Sequence, residues 1–564
     1  MNAKRFFALL LALILCLTPL SALAEGEEPQ DVDGGVSVYA DGTDSKWKEV
    51  RNVTQTRDEY AGVSVDTNDR SIVQVTADCV TTSGGVSPGV RVSTGSESRA
   101  IVAAGTVTTL GDHSDGVRVI ADRTSGVKAE VGNIKTEGDS TYGIVISARD
   151  ASAVQVTTRS VAAVGPCSVG VQANAYSSEP TTVTVKGDVD ATGIGVRANT
   201  SDGQATVNIT VTGAVTGGTF GVDAYSIDEG SSTKIIVGKT DDAGVFAGSA
   251  VTGGDTGVVV EVGSGGQAEV RTGDVAGETN GVAVFSYSTG GTADILIDGT
   301  LSAGEQAVVV NEGTTEDELS LTVWKVEQEG EAETLVSGSG TGENAFTDAS
   351  IQYIVRIDEG PRFKGQPMGS LSAAKDAEGT VLDTATSGEI PCGVAHEGDR
   401  VYLNMEYDTD KYEVIGAYVD EERKIEAQKD EDGRFFTEVS KGGGVFLSVQ
   451  LREKQDHTPD DVVQEAEPAV GQAPDPFTDF CVNLAQLIML APENEVKEVD
   501  ARRWYGLQWN VIRALADRPD VTLKITCWHD GVLKELTIPA GFDLMSSLEP
   551  GQFLHFNELV KLLG

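Results

Sequence analysis

One short pattern of apolar and polar positions recurs between residues 35 and 310. Each copy has a glycine, a β-branched residue, a variable residue and a small aliphatic residue. Alternate residues of a strand point to opposite faces, so positions two and four form an apolar face and position three lies on the other face. The copies begin at Gly35, Gly62, Gly89, Gly116, Gly143, Gly170, Gly195, Gly221, Gly257, Gly281 and Ala307, where the glycine is lost.

The spacing of these copies indicates a stacked repeat. The first six follow one another at 27 residues and the later ones at looser intervals, and a fixed period of this length is typical of solenoids. Each copy precedes two more strand-like runs, such as Val207–Val211 and Gly213–Val215, without a helical period. We therefore predict a mainly β fold, a parallel β-helix of about eleven 27-residue coils, and take it as right-handed from the coil length.

The rod is predicted to occupy residues 25–357. The recurrent glycine suits a corner that needs a positive φ or a close backbone approach. The wide gap between Gly221 and Gly257 predicts an insertion around 231–254. Two strands after the last copy, Leu319–Val326 and Ser350–Ile357, are expected to cap the rod, with Trp324 covering its end.

A small all-β module is predicted over residues 358–455. It contains four alternating runs, and Asp432-Gly433 is a hairpin signal before the third. The runs are Glu397–Leu403, Tyr412–Val419, Gly433–Val439 and Gly444–Val449.

These runs resemble the divergent B-repeat-like modules of secreted bacterial surface proteins. In those modules a Glu-Gly-Asp-x-Val strand, here Glu397 to Val401, precedes a Gly-Tyr strand, an Asp-Gly hairpin and a closing strand. Lys411 stands here in place of the usual glycine before Tyr412. The resemblance covers about 70 residues and implies a spacer or interaction role without catalysis.

An acidic Pro/Ala linker (456–476) leads to a C-terminal α+β domain (477–564). Apolar residues keep helical spacing from Phe477 to Ile488 and from Trp504 to Leu515, and Pro519 follows as a stop. A β-hairpin is predicted around His529-Asp530-Gly531. The domain looks like one found at the C-termini of secreted bacterial repeat proteins.

The N-terminus predicts export. Lys4-Arg5, the apolar run Phe6–Leu17 and Ala22-Leu23-Ala24 have the form of a signal peptide over residues 1–24. No later stretch approaches about 18 consecutive apolar residues, so no transmembrane segment is expected after its removal. We expect a secreted, extracellular protein, and cell-surface association stays open.

Charge and cysteine content narrow the class of partner. The net charge of −45 argues against nucleic acid or an anionic membrane as partner, while loose Ca²⁺ binding is not excluded. Five cysteines outside the leader form no disulfide framework and are expected to be small buried residues, although Cys481 and Cys527 could pair.

Candidate binding residues lie at the outward third position of the copies. Arg91 and Arg118 should stack one above the other, and Arg197 should neighbour Asp223, the one acid among the eleven third positions. These four residues are the predicted ligand face, although solvated arginines are the simpler interpretation of the pair. Aromatic residues make up 6% of the chain, so no sugar-stacking platform is expected.

No catalytic, cofactor-binding or metal-ligating residues are predicted. Carbohydrate-active enzymes need converging carboxylates, and the two columns of outward residues beside the apolar positions bring no acids together. Asp241-Asp242 falls in the insertion and is read as a turn. The five histidines are scattered without metal-ligand spacing.

Three functions follow from this sequence. The Gly/Val/Thr/Asp coils resemble secreted bacterial β-helix surface proteins of the adhesin and pectate-lyase-like superfold. That resemblance implies a non-enzymatic stalk or adhesin-like binding protein, which contacts an extracellular glycan or a surface protein. The alternative is a polysaccharide lyase or hydrolase, with the insertion as one wall of a cleft and carboxylates on adjacent coils as its required feature. The third is a structural element of the cell envelope without a soluble ligand.

Overall fold

The computed structural model describes most of the chain after residue 28. The predicted signal peptide, Asp241-Asp242, Cys392 and the linker up to residue 475 lie outside the described residues. The described residues are 29–240, 246–288, 290–311, 314–315, 318–330, 332–338, 345–358, 360–364, 366–383, 393–454, 476–489, 491, 495–501, 506–529, 532–542, 544 and 554–563.

The chain divides into two compact units, residues 1–456 and 457–564. The described residues of the first unit form strands and one short 3-10 helix at Asp348–Ser350. Its strands are β1 (Val32–Asp33), β2 (Val36–Ala40), β3 (Ser45–Gln55), β4 (Val63–Thr67), β5 (Ile72–Thr82), β6 (Val90–Thr94), β7 (Arg99–Thr109), β8 (Val117–Ala121), β9 (Gly126–Thr136), β10 (Tyr142–Arg149), β11 (Ala153–Ala163), β12 (Val169–Tyr176), β13 (Thr181–Val185), β14 (Val189–Ala191), β15 (Ile194–Thr200), β16 (Thr206–Val211), β17 (Val215–Gly217), β18 (Phe220–Ser226), β19 (Ser232–Thr240), β20 (Phe246–Gly248), β21 (Val251–Gly253), β22 (Thr256–Val262), β23 (Gln267–Thr272), β24 (Val275–Gly277), β25 (Asn280–Ser286), β26 (Thr292–Ala303), β27 (Gln306–Val310), β28 (Leu319–Gln328), β29 (Val336–Ser337), β30 (Gln352–Ile357), β31 (Arg362–Phe363), β32 (Gln366–Pro367), β33 (Gly369–Ala374), β34 (Val394–Ala395), β35 (Arg400–Tyr407), β36 (Tyr412–Tyr418), β37 (Gln428–Lys429), β38 (Phe435–Glu438) and β39 (Val445–Glu453).

The parallel β-helix is confirmed. One strand per coil forms a twelve-stranded parallel sheet, called sheet 1 here, in the order β2-β4-β6-β8-β10-β12-β15-β18-β22-β25-β27-β29. The remaining coil strands form a larger sheet, called sheet 2. The count differs from the eleven copies predicted, because β29 continues sheet 1 without carrying the repeat pattern. The right-handed winding stays a prediction.

The columns read from the sequence are the register pairs of sheet 1. Val90 pairs with Val117, and Ile144 pairs with Val171. All four of these side chains are fully buried. Apolar positions two and four therefore stack along the axis of the rod, and the third position faces outward.

Sheet 2 carries the second and third runs of each coil. In the first five coils these runs merge into one eleven-residue strand, such as β5. Alternation breaks within it, because Ala77 and Val80 are both buried with two residues between them. This break marks a corner. In coils six to nine the corner separates two strands, such as β13 and β14, and in the tenth coil the runs merge again in β26. Three inward sides per coil follow, as predicted.

The repeated glycine is needed for a close approach. A Cβ on Gly89 would lie 2.2 Å from the Val107 Cγ1 atom, and one on Gly143 would lie 2.2 Å from the Val161 Cγ1 atom. Neither glycine has a positive φ. The glycine is therefore required for close packing against the third run, and a positive φ is not the reason for it.

Buried hydroxyl groups line two corners of the coils. Ser114 is fully buried and its hydroxyl accepts the Ser87 backbone N–H at 2.8 Å. At another corner the Thr67 and Ser98 hydroxyls lie 2.8 Å apart. Backbone groups at a corner have no partner in the strand ladders. The buried hydroxyl groups therefore form the hydrogen bonds that these backbone groups need.

The predicted insertion is a short antiparallel hairpin on the side of the rod. The end of β19 pairs with β20, so that Gly238 faces Gly248. Phe246 packs with Leu296 and Ile354, which are all nearly fully buried. Trp324 packs partly against the same group, which places it on this lateral face.

The predicted cap strands continue the coils. β28 pairs in parallel with β26, and β30 pairs in parallel with β28. The expectation that Trp324 covers the end of the rod is therefore wrong.

The all-β module is joined to the last coils. β39 pairs in parallel with β30, which aligns Val355 with Val445, and in antiparallel with β36. A four-stranded sheet of order β33-β35-β38-β37 lies beside them. One hydrophobic core runs from Val36 to Leu451, so residues 358–454 share the core of the coils.

The second unit is α+β, as predicted. β42 and β43 form the expected hairpin, and β40 adds a third, parallel strand that the sequence did not indicate. Its elements are α1 (Pro476–Met489), β40 (Val496–Asp500), β41 (Gly506–Leu507), α2 (Trp509–Asp517), β42 (Thr522–His529), β43 (Val532–Ile538), β44 (Leu554–His555) and α3 (Phe556–Leu563). None of the helices in the described residues is long and apolar enough to cross a membrane.

The cysteines divide between interior and surface. Cys481 and Cys527 are both buried, and no disulfide joins them in the described part of the chain. Cys79 is partly buried and Cys167 is exposed. The expectation of uniformly buried cysteines is wrong for these two, since both lie outside the inward columns.

We expect Gly143→Ala to destabilise the rod by about 1–3 kcal/mol, the usual cost of overpacking a core. Its Cβ would meet the Val161 side chain and the Gly170 carbonyl oxygen at 2.5 Å. Gly126→Ala is the matched control, because its Cβ would meet nothing nearer than 3.8 Å. Urea denaturation followed by circular dichroism measures both, and equal midpoints would contradict the packing role of Gly143.

Candidate ligand-binding face

The structure places the four predicted residues on the outer face of sheet 1. Arg91 and Arg118 are register neighbours, as are Arg197 and Asp223. The stacking expected for each pair is confirmed. Val145 and Gln172 occupy the same column between the pairs, so the four residues form two separate groups.

Arg118 is neutralised by a carboxylate that the sequence analysis missed. Its Nε atom lies 2.6 Å from Asp115, whose side chain is 2% exposed. Burial raises the pKa of the Asp115 carboxyl, and the Arg118 charge opposes this effect. Asp115 stands just before Gly116, outside the strand positions that form the columns, and an acid beside the repeat glycine was its signal in the sequence.

Arg197 and Asp223 form the second ion pair of this face. The Arg197 Nε atom donates to Asp223 Oδ2 at 2.7 Å. Asp223 is 3% exposed although its register position is outward. Burial raises the pKa of the Asp223 carboxyl, and Arg197 opposes this effect. The other oxygen, Oδ1, is buried and makes no hydrogen bond among the described residues.

A continuous set of polar side chains surrounds this pair, called the polar ladder here. Coils six to nine each contribute to it in matched register, at the third position or at the fifth. The fifth position is the outward residue that directly follows the small aliphatic position. Tyr287 adds to its last rung by donating its hydroxyl hydrogen to Glu261 Oε2. The members of the polar ladder are Gln172, Asn174, Arg197, Asn199, Asp223, Tyr225 and Glu261.

Hydrogen bonding within the polar ladder is uneven. Asn174 is satisfied at both ends, because its Nδ2 donates to the Ile146 carbonyl at 3.1 Å and its Oδ1 accepts from Gln172 Nε2 at 3.3 Å. Gln172 Oε1 and Asn199 Oδ1 are buried oxygens without a hydrogen-bond partner in the described chain. An unsatisfied buried acceptor costs about 1–3 kcal/mol.

Aromatic side chains border the polar ladder at one end. Tyr287 is 62% exposed, and its hydrogen bond to Glu261 raises its pKa to about 12. Tyr225 lies in the ladder, and Phe285 is the register neighbour of Glu261. Register thus gathers three aromatic side chains that are spread along the sequence, and the expectation that no sugar-stacking platform exists stays a prediction.

A charged cluster on the outer face of sheet 2 was also missed. Glu269 pairs in register with Lys234 on one side and Asp294 on the other. Glu269 lies 2.8 Å from Lys234 Nζ and 2.5 Å from Arg271 Nε. Burial and then the Glu269 charge raise the pKa of the Asp294 carboxyl. The columns considered from sequence were those of sheet 1, so this carboxylate pair was not found.

The hairpin lies beside this charged cluster. Arg271 stands in register between Ile236 and Leu296, which both pack with Phe246 of the hairpin. Arg271 is consequently only 8% exposed. The arrangement has the adjacent carboxylates and the lateral wall that the enzyme hypothesis requires, although both basic residues pair with Glu269.

The two faces offer mainly hydrogen-bonding groups. The described residues hold no group of three or more His, Cys, Asp or Glu side chains placed around one point. The polar ladder offers amide, carboxylate and phenol groups. Such a face can accept and donate hydrogen bonds and stack rings, which is the chemistry of recognition.

We expect Arg197→Met to destabilise the protein by about 1–3 kcal/mol at neutral pH, because it leaves a buried carboxylate unpaired. Without Arg197 the pKa of Asp223 rises further. When folding raises the pKa of an acid, the folded protein becomes less stable as the pH rises through that pKa. The destabilisation caused by Arg197→Met should therefore be smaller near pH 4 than near pH 7.

Urea midpoints at both pH values measure this effect. Adding Asp223→Asn to Arg197→Met should remove the pH-dependent part of the loss, and Arg91→Met should change little because Arg91 is exposed. A loss of the same size at both pH values would show that Asp223 does not titrate as described.

No family model, no curated protein and no solved structure matches the chain.

Proposed function

We propose that the protein is a non-enzymatic, secreted or cell-surface binding protein that contacts an extracellular glycan through the outer face of sheet 1. The polar ladder carries this proposal. It presents amide, carboxylate and guanidinium groups on consecutive coils, with Tyr225, Phe285 and Tyr287 at one end. Sugars are recognised by such a combination of hydrogen bonds and apolar ring faces.

Geometry of the coils favours an extended ligand. Neighbouring strands lie about 4.8 Å apart, so the polar ladder spans several regularly spaced rungs along the rod. A polymer lying along the rod would meet equivalent positions again and again. Each rung contributes a small hydrogen-bonding increment, and the sum over a rigid, preformed surface gives useful affinity.

We expect the full chain to be retained on an immobilised polysaccharide without releasing reducing or unsaturated ends. Retention and product release are measured together on a panel of neutral and acidic polymers. Tyr225→Ala should weaken retention about 3- to 10-fold, the usual value of an aromatic contact. Tyr39→Ala is the matched control, because Tyr39 is exposed on the same face at the first coil. Equal effects of the two substitutions would show that the polar ladder is not the binding site.

A second candidate is a polysaccharide-active enzyme. Its supporting observation is the register pair Glu269 and Asp294 beside the hairpin. Two neighbouring carboxyl groups with a raised pKa on one of them can serve as acid and base in glycoside cleavage.

The enzyme hypothesis predicts that a polysaccharide is depolymerised and that Glu269→Gln or Asp294→Asn lowers the rate at least about 100-fold, the usual share of a general acid or base. Glu130→Gln is the control, because Glu130 is an exposed acid on sheet 2 at the fourth coil. Product release that survives both substitutions would exclude this cluster as the catalytic site.

A further inference from the structure

We infer that coils six to eight hold a subsite for the hydroxyl groups of a neutral sugar. This inference rests on the proposed function and names the ligand class for the same face. The subsite consists of Gln172, Arg197, Asn199 and Asp223, with Tyr225 beside it.

The unfilled groups of the subsite are all hydrogen-bond acceptors. Gln172 Oε1, Asn199 Oδ1 and Asp223 Oδ1 are all acceptors without a partner in the described chain. Asp223 fixes this polarity, because an ionised carboxylate only accepts, whereas an amide can turn over. A ligand that completes the subsite must therefore bring hydrogen-bond donors, and sugar hydroxyls are such donors.

The charges of the polar ladder do not favour an anionic ligand. Arg197 already donates to Asp223 at 2.7 Å. Glu261 lies one coil beyond Tyr225, at the same fifth position of the repeat. Coils six to nine thus present one guanidinium and two carboxylates in the polar ladder. A polyanion would bring its carboxylates or sulfates towards unpaired acceptors. Desolvation of these anionic groups would then cost free energy, and no hydrogen-bond donor would offset it.

The unfilled oxygens lie beside side chains that are partly exposed. Asp223, Val259 and Ala283 occupy outward positions of three consecutive strands, yet each is 4% exposed or less. The fifth-position side chains beside them are Tyr225, Glu261 and Phe285, all partly exposed. These surface side chains and Arg197 can rotate on the nanosecond scale typical of exposed residues. Their rotation lets a hydroxyl group reach the buried oxygen of Asp223.

A cation is the other partner that bare oxygens attract. Arg197 occupies the same carboxylate that a cation would need. Within the described residues no cluster of three metal-ligating side chains is present. The guanidinium charge therefore favours a neutral donor over a metal ion at this place.

The test compares a residue of the subsite with one on the same face outside the polar ladder. Asn199 has an unfilled oxygen, whereas Ser147 lies in the same column two coils earlier, next to Asn174. The full chain, Asn199→Ala and Ser147→Ala are titrated with mannan, xylan and dextran, and with polygalacturonate and hyaluronate as acidic probes. We expect binding to a neutral polymer, weakened about 3- to 10-fold by Asn199→Ala and left nearly unchanged by Ser147→Ala.

The remaining outcomes separate this inference from the proposed function. Stronger binding of the acidic probes, or equal effects of the two substitutions, would overturn the neutral-sugar subsite while the glycan-binding rod stands. No retention on any polymer would overturn both. Circular dichroism of both variants confirms that each has kept the fold, so that weakened binding reports the subsite.

Discussion

Parallel stacking in strict register is the interaction on which the rest of this molecule depends. A single coil cannot bury its inward valines and alanines, so each coil is stable only between two others. Stacking brings equivalent positions within about 4.8 Å of one another. The small repeat glycine follows from it, because the first run of one coil passes against the third run, as Gly143 does against Val161. The buried corner hydroxyls follow too, because corner backbone has no ladder partner.

The same register builds the outer faces. An outward residue in one coil is always placed above its equivalent in the next, so side chains about 25 residues apart become neighbours. Arg197 and Asp223 become an ion pair in this way, and Asn199 comes beside Asn174. Function in such a fold is a property of columns, and a change in one coil alters a single rung.

Two of these faces differ in how their charges are settled. In the charged cluster on sheet 2, Glu269 is held by both Lys234 and Arg271 and lies beside a hairpin that buries Arg271. In the polar ladder on sheet 1, one carboxylate oxygen and two amide oxygens lack partners. Asp294 Oδ1 in the charged cluster is likewise a buried oxygen without a hydrogen-bond partner among the described residues, so unfilled acceptors occur on both faces. The polar ladder differs from the cluster by its aromatic border of Tyr225, Phe285 and Tyr287. This border is why the binding proposal is placed on sheet 1.

The sequence by itself determined the fold class, the columns of sheet 1, the stacking of Arg91 on Arg118 and the neighbourhood of Arg197 and Asp223. It could do so because a fixed period converts distance along the chain into position in space. Only the tertiary structure decided what broke the period. The pairing of Glu269 with Asp294, the contact of Asp115 with Arg118, the lateral position of Trp324 and the joining of β39 to β30 arise there. Corners and loops of unequal length separate the residues of the other contacts along the chain. Asp115 lies only three residues before Arg118 and was missed because it stands outside the repeat columns.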